Sequence, residues 1–137
     1  MRTSKQSEPR ARTMIWSGRV LSLLVVLAMG LDGVAKLTRA PQVLLAMARI
    51  GYPAELTITL AVLVLACTAL YAIPRTCVLG AVLLTAFLGG ATAAKVRMED
   101  ATFLISVAIG LMVWIGILLR DERLRSLLPL RKKLRDC

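Results

Sequence analysis

Residues 56–94 read LTITLAVLVLACTALYAIPRTCVLGAVLLTAFLGGATAA. Two uncharged apolar runs, 56–73 and 77–94, each 18 residues long, stand on either side of Pro74 and Arg75. Crossing hydrocarbon as a helix takes roughly 17–25 such residues. Proline ends the first run because it has no N–H for the next helical bond. The stretch therefore predicts two membrane spans joined by a tight turn.

Outward from this pair, residues 101–119 form another uncharged run of 19 residues. Residues 16–37, WSGRVLSLLVVLAMGLDGVAKL, predict a first span. Its centre, VLSLLVVLAMGL at 20–31, has the length of a signal-peptide core. The apolar character continues past Asp32 into Gly33, Val34 and Ala35, however, and three more apolar runs follow, so an uncleaved span is the expectation. Lipid offers the backbone no hydrogen-bond partners, which leaves helices as the spanning form for runs of this length. The expected fold is all-α: an integral membrane four-helix bundle with spans at about 16–37, 56–73, 77–94 and 101–119, a tail at 1–15 and a basic tail at 120–137. Pro9 is expected to interrupt any helix in the first tail.

Composition agrees. Of 137 residues 58% are hydrophobic, and the mean hydropathy is +0.74, more apolar than a soluble domain of this size can bury. The net charge of +10 does not indicate nucleic acid, because only 4% of residues are aromatic and the basic residues lie outside the apolar runs. They serve instead as topology signals and as attraction to anionic lipid. With the N-terminus inside, 13 of the 18 Lys and Arg residues fall on inner segments and five, Lys36, Arg39, Arg49, Lys95 and Arg97, fall outside. Both termini are accordingly expected in the cytoplasm. Trp16 and Tyr71 then fall near the inner interface and Tyr52 near the outer one, as an aromatic belt would place them.

Between the first two spans, PQVLLAMARIGYP sets Val43, Leu44, Met47 and Ile50 at helical spacing opposite Gln42 and Arg49. This predicts a short interfacial amphipathic helix ended by Gly51 and Pro53, with a polar loop as the alternative. Cys67, Cys77 and Cys137 show no metal or dithiol spacing, and histidine is absent, so no metal site is expected. No disulfide within the chain is expected either, with Cys67 placed in lipid and the other two on the reducing side.

Two features carry chemistry. Asp32 and Lys36, four residues apart, share a helix face and can pair, either as a snorkelling helix end or as a carboxylate that exchanges protons or orients a ligand. Lys95 and Arg97 end the third span on the same side. If the first span packs against the third, one carboxylate faces three cations in a rim suited to an anionic or carbonyl-bearing head group. In the third span Ala81, Thr85, Gly89 and Ala93 recur every fourth position beside Ala86, Gly90 and Ala94. Such rows let helices approach closely, or leave a stripe open for a flat ligand.

These segments resemble the DoxX-like family of small four-helix membrane proteins. The resemblance rests on 16–37, on IGYP at 50–53, on LYAIPRTCVLGAVLLTAFLGG at 70–90, on KVR at 95–97 and on LRDERLRSLLP at 119–129. It implies a bundle in the bacterial inner membrane, in a superfamily named after a subunit of a quinone-reducing sulfur oxidoreductase and including partners of oxidative-stress complexes. The chain departs from the family pattern in having Lys95 where a histidine commonly stands and no histidine opening the fourth span. The expected role is a membrane subunit or accessory of a quinone-linked oxidoreductase or oxidative-stress complex. It would carry no cofactor of its own, with quinone a possible ligand and no catalytic residue assigned. A non-catalytic assembly or interaction protein, for which a homo-oligomer would serve, is the alternative. A small-solute carrier ranks last, since the second and fourth spans offer only Thr57, Thr59, Thr68, Thr102 and Ser106 as polar residues.

Overall fold

A computed structural model describes residues 8–127, with side chains from residue 12 onward. The expectations that fall on 1–7 and 128–137, including the end of the basic tail and Cys137, lie outside the described residues. Among the described residues the chain is helical throughout, with no strand: α1 (Glu8–Leu37), α2 (Pro41–Ile50), α3 (Leu56–Ala72), α4 (Cys77–Arg97), α5 (Phe103–Arg120) and α6 (Glu122–Leu127).

The helix starts and stops follow local chemistry. α1 begins eight residues ahead of Trp16, contrary to the expectation that Pro9 excludes helix from the tail. Pro9 falls in the first turn, where the N–H groups have no helical acceptor and the fixed φ of proline suits the helix. α2 opens on Pro41 for the same reason. It closes on Gly51, whose φ of 82° is left-handed, with Gly51 N donating to Ala48 O at 3.1 Å and Tyr52 N to Met47 O at 3.0 Å. This is a Schellman cap. α1 and α4 end in the same hydrogen-bond pattern, but there the left-handed residues are Arg39 (φ 50°) and Glu99 (φ 54°).

α1 lies against α3 and α5, and α4 lies against the same two, so the four form a closed ring in the order α1, α3, α4, α5. The first and third predicted spans are thus diagonal, which corrects the arrangement in which they pack together. The core holds Val25 and Met29 of α1, Val64, Cys67 and Tyr71 of α3, Ala81, Leu84 and Leu88 of α4, and Val113 and Ile117 of α5. Large apolar residues such as Leu23, Leu31, Leu63, Leu79, Leu104 and Leu111 point outward, while Ser22, Thr57, Thr68 and Ser106 are buried. Such a molecule needs an apolar solvent. α1 from Arg12 to Leu37, α4 and α5 are long and apolar enough to cross a membrane. α3, apolar over its 17 residues, rises about 26 Å.

Two sequence expectations about the interior change. Tyr71 is not an aromatic-belt residue: it is 1% exposed, and its hydroxyl lies 3.2 Å from both Ser22 Oγ and the Val113 carbonyl. Donating to the carbonyl, it remains an acceptor for Ser22, so one phenol ties α1, α3 and α5 together. Cys67 faces this core rather than lipid, and both it and Cys77 are free, buried thiols. The close pairing of α3 with α4 depends on Gly80, where a Cβ would come within 2.5 Å of Tyr71 Cα.

Candidate functional site

Lys36 occupies the last turn of α1, one turn beyond Asp32, and the two side chains form an ion pair through Nζ and Oδ2. Sequence reasoning placed the carboxylate at the centre of the site, yet the cation is the deeper partner. The Lys36 side chain is 11% exposed and that of Asp32 38%. The ammonium reaches across the ring to 5.9 Å from the centroid of the Phe87 ring on α4. A buried ammonium is costly without compensation, and here the carboxylate and the negative face of the ring supply it.

The other helices of the ring contribute polar groups at the same end. Lys95, in the last turn of α4, donates to Ser106 Oγ at 3.2 Å, and Ser106 is buried in the first turn of α5. Thr57, in the first turn of α3, is wholly buried, and its Oγ1 has no hydrogen-bond partner. The contrast with Thr68, Thr85 and Thr92 is instructive, since each of these donates to the carbonyl four residues before it. Four residues before Thr57 stands Pro53, outside the helix, and its carbonyl accepts from the Leu56 N–H at 3.1 Å rather than from the Thr57 hydroxyl. An unsatisfied buried hydroxyl costs about 1–3 kcal/mol, and a guest molecule with a polar atom would recover it.

Lys36, Thr57, Lys95 and Ser106 thus form a polar layer near one mouth of the bundle, one residue from each ring helix. Arg97 stands apart from it. With Gly90, Ala93, Ala94 and Met98 it lines a groove of about 410 Å³ whose other wall is Ile50, Gly51 and Tyr52. The single charged rim anticipated from sequence is therefore three places: the Asp32 and Lys36 pair inside, the Lys95 and Ser106 contact between α4 and α5, and the Arg97 groove. Of the small-residue row, Ala81 is buried in the core, whereas Thr85, Gly89, Gly90 and Ala93 are exposed. Thr85 accepts from Trp114 Nε1 at 2.9 Å, and a Cβ at Gly89 or Gly90 would meet nothing within 4 Å.

Sequence reasoning did not connect Phe87, Thr57 or Ser106 with the site. The signal for Thr57 and Ser106 was present, as hydroxyl residues at the second and sixth positions of their apolar runs, at the end that carries the lysines. Phe87 gave none, being one apolar residue among many. In the loop between α4 and α5, the Thr102 N–H donates to Asp100 Oδ1 at 3.0 Å. That bond, the Thr102 hydroxyl and the nearby charges of Lys95 and Arg49 hold the Asp100 carboxyl below its ordinary range. No group of three or more Cys, Asp or Glu gathers among the described residues.

Neither a curated protein nor a solved structure matches the chain. The model of the DoxX-like family matches residues 20–117, from the first turns of the first predicted span to the last turn of α5. That match takes in all of α3 and α4, α1 from residue 20, most of α5 and the whole polar layer, and on it the chain belongs to the DoxX-like family, a membrane protein by its apolar helices.

Proposed function

We propose that the chain crosses the bacterial inner membrane four times with both ends in the cytoplasm. There it acts as a membrane subunit or accessory of a quinone-linked oxidoreductase or oxidative-stress complex, taking the quinone head group at the polar layer and carrying no cofactor of its own. The topology rests on the distribution of basic residues and on the ring, in which α3 is packed between α1 and α4. One observation carries the ligand: a buried ammonium and a fully buried, unpartnered hydroxyl stand at the same end of an otherwise apolar bundle. Both are donors, and a quinone presents carbonyl acceptors on an apolar ring.

The test is gentle purification of the full chain, with mass spectrometry of the lipophilic molecules and polypeptides that accompany it. Quinone is expected in the wild type, and Lys36→Met and Thr57→Val should each reduce its retention by about tenfold, the equivalent of one hydrogen bond to a charged or buried donor. Equal quinone content in wild type and both variants, at equal protein yield, would sink the ligand assignment.

A second reading, an assembly protein that binds other membrane proteins, is favoured by the open face at Gly89 and Gly90. Small residues exposed to lipid allow another helix to approach closely. Disulfide capture of a partner by Gly89→Cys, with quinone absent, would select it.

A further inference from the structure

We propose that the groove beside Arg97 holds the head group of an anionic phospholipid. The inference is independent of the quinone site, sharing no residue with the polar layer. Gly51 and Tyr52 at the end of α2 form one wall, and Gly90, Ala93, Ala94 and Arg97 of α4 form the other. The volume of about 410 Å³ falls within the roughly 300–1,000 Å³ of small-molecule sites.

Charge selects the occupant. Arg97 is the one charged residue lining the groove, and no acid lines it. Among the described residues the one ion pair joins Asp32 and Lys36, so the Arg97 guanidinium has no carboxylate partner. Its fork of donors matches two phosphate oxygens. The partial negative charge at the ends of α2 and α4 opposes an anion. It is the weaker effect, because Gly51 and Tyr52 amides cap Ala48 and Met47 carbonyls, and Met98, Glu99 and Asp100 amides cap those of Lys95 and Val96.

Surroundings select a lipid over a free anion. Val96 and Met98, on either side of Arg97 in sequence, are exposed large apolar residues. The open floor at Gly90 gives an acyl chain direct contact with helix backbone. Tyr52, 44% exposed, presents an amphipathic ring of the kind found at the head-group level. The absence of an acid in the lining leaves nothing to receive a choline or ethanolamine ammonium, so the fit is to phosphatidylglycerol.

The experiment is native mass spectrometry of the full chain in neutral detergent, titrated with phosphatidylglycerol or with phosphatidylcholine of the same acyl chains. Phosphatidylglycerol should be retained about tenfold more strongly, and Arg97→Gln should abolish that preference, the loss of one bidentate guanidinium contact. Ala93→Leu, which narrows the groove from its α4 wall and keeps the charge, should also expel the lipid. Arg12→Gln, at the opposite end of the bundle, should change nothing. Unchanged retention in both groove variants, an equal loss in Arg12→Gln, equal binding of phosphatidylcholine, or displacement by excess inorganic phosphate would each overturn the assignment.

Discussion

Lys36 is the more buried half of its pair, with 11% of its side chain exposed against 38% for Asp32, and this inequality gives the two residues different mutational signatures. Asp32→Asn leaves an ammonium inside the bundle with only the Phe87 ring to face it. We expect a loss of about 1–3 kcal/mol, less than the 3–5 of a fully buried pair because the carboxylate is partly exposed. Lys36→Met removes the deeper charge, keeps the volume and leaves behind a carboxylate that is 38% exposed, so it should cost less than Asp32→Asn while reducing ligand retention about tenfold. Thermal unfolding of both variants in the same detergent checks the pair, and an equal loss of stability would refute the asymmetry. Gly80 gives a second expectation at this scale. A Cβ there meets the Tyr71 backbone rather than a movable side chain, so Gly80→Ala should destabilise by about 1–3 kcal/mol or more by forcing α3 and α4 apart. Gly89→Ala, with nothing within 4 Å of its Cβ, should be tolerated within the monomer.

α1, α2 and α4 close with the same pair of capping hydrogen bonds, yet only α2 supplies a glycine for the left-handed position. Arg39 and Glu99 hold that conformation at a cost of about 1–2 kcal/mol each. Arg39→Gly or Glu99→Gly should recover part of it, offset by the greater freedom of glycine in the unfolded chain, for a net gain of up to about 1 kcal/mol. A denaturation midpoint unchanged or lowered in both variants would show that the side chains matter more than the backbone there. The neighbouring Asp100 predicts a pH effect of definite sign. Its carboxyl is held below the ordinary range by the Thr102 N–H, so the turn is supported above a pH of about 4 and loosens as pH falls through the depressed pKa. Hydrogen exchange of the Thr102 amide, compared with that in Asp100→Asn across this range, should converge at low pH and diverge above it. At the far end of the bundle, Arg125 of α6 donates to the carbonyls of Leu118 and Leu119, which α5 leaves without helical partners.

For the molecule as a whole, the all-helical membrane character was legible because the length and charge of the apolar runs decide it, and the family because segments such as 70–90 resemble it. The run 56–73 lies within a residue of α3, since Pro74 enforces its end, and 77–94 begins where α4 begins. The order of the helices around the ring was not legible. Four runs of similar apolarity can be arranged in several ways, and the contacts that choose one, such as Tyr71 with Ser22 across 49 positions, leave no local pattern. The same ambiguity misplaced Tyr71, because an apolar ring with a polar tip suits a membrane surface and a buried hydrogen bond equally well. The polar layer was half legible: the lysines announced themselves, whereas Thr57 and Ser106 acquire meaning only once the ring brings them to the same end. Topology remains the most direct whole-chain expectation. An impermeant thiol reagent applied to intact cells should label Thr38→Cys and leave Cys137 unlabelled, and the reverse pattern would invert the orientation.

The position of Lys36 and its partner on the same helix, rather than on two, bears on how the protein is made. A nascent α1 meets the translocon before α3, α4 and α5 exist. A charge near the middle of an inserting helix costs about 2.5–3.5 kcal/mol, and one near its end costs less. Had the counter-ion come from a later helix, α1 would enter lipid with its ammonium bare and wait for synthesis to supply the partner. With Asp32 one turn away the helix carries its own neutralising group, so it can partition sideways into the bilayer at once and keep its cation shielded until the rest of the ring closes over it.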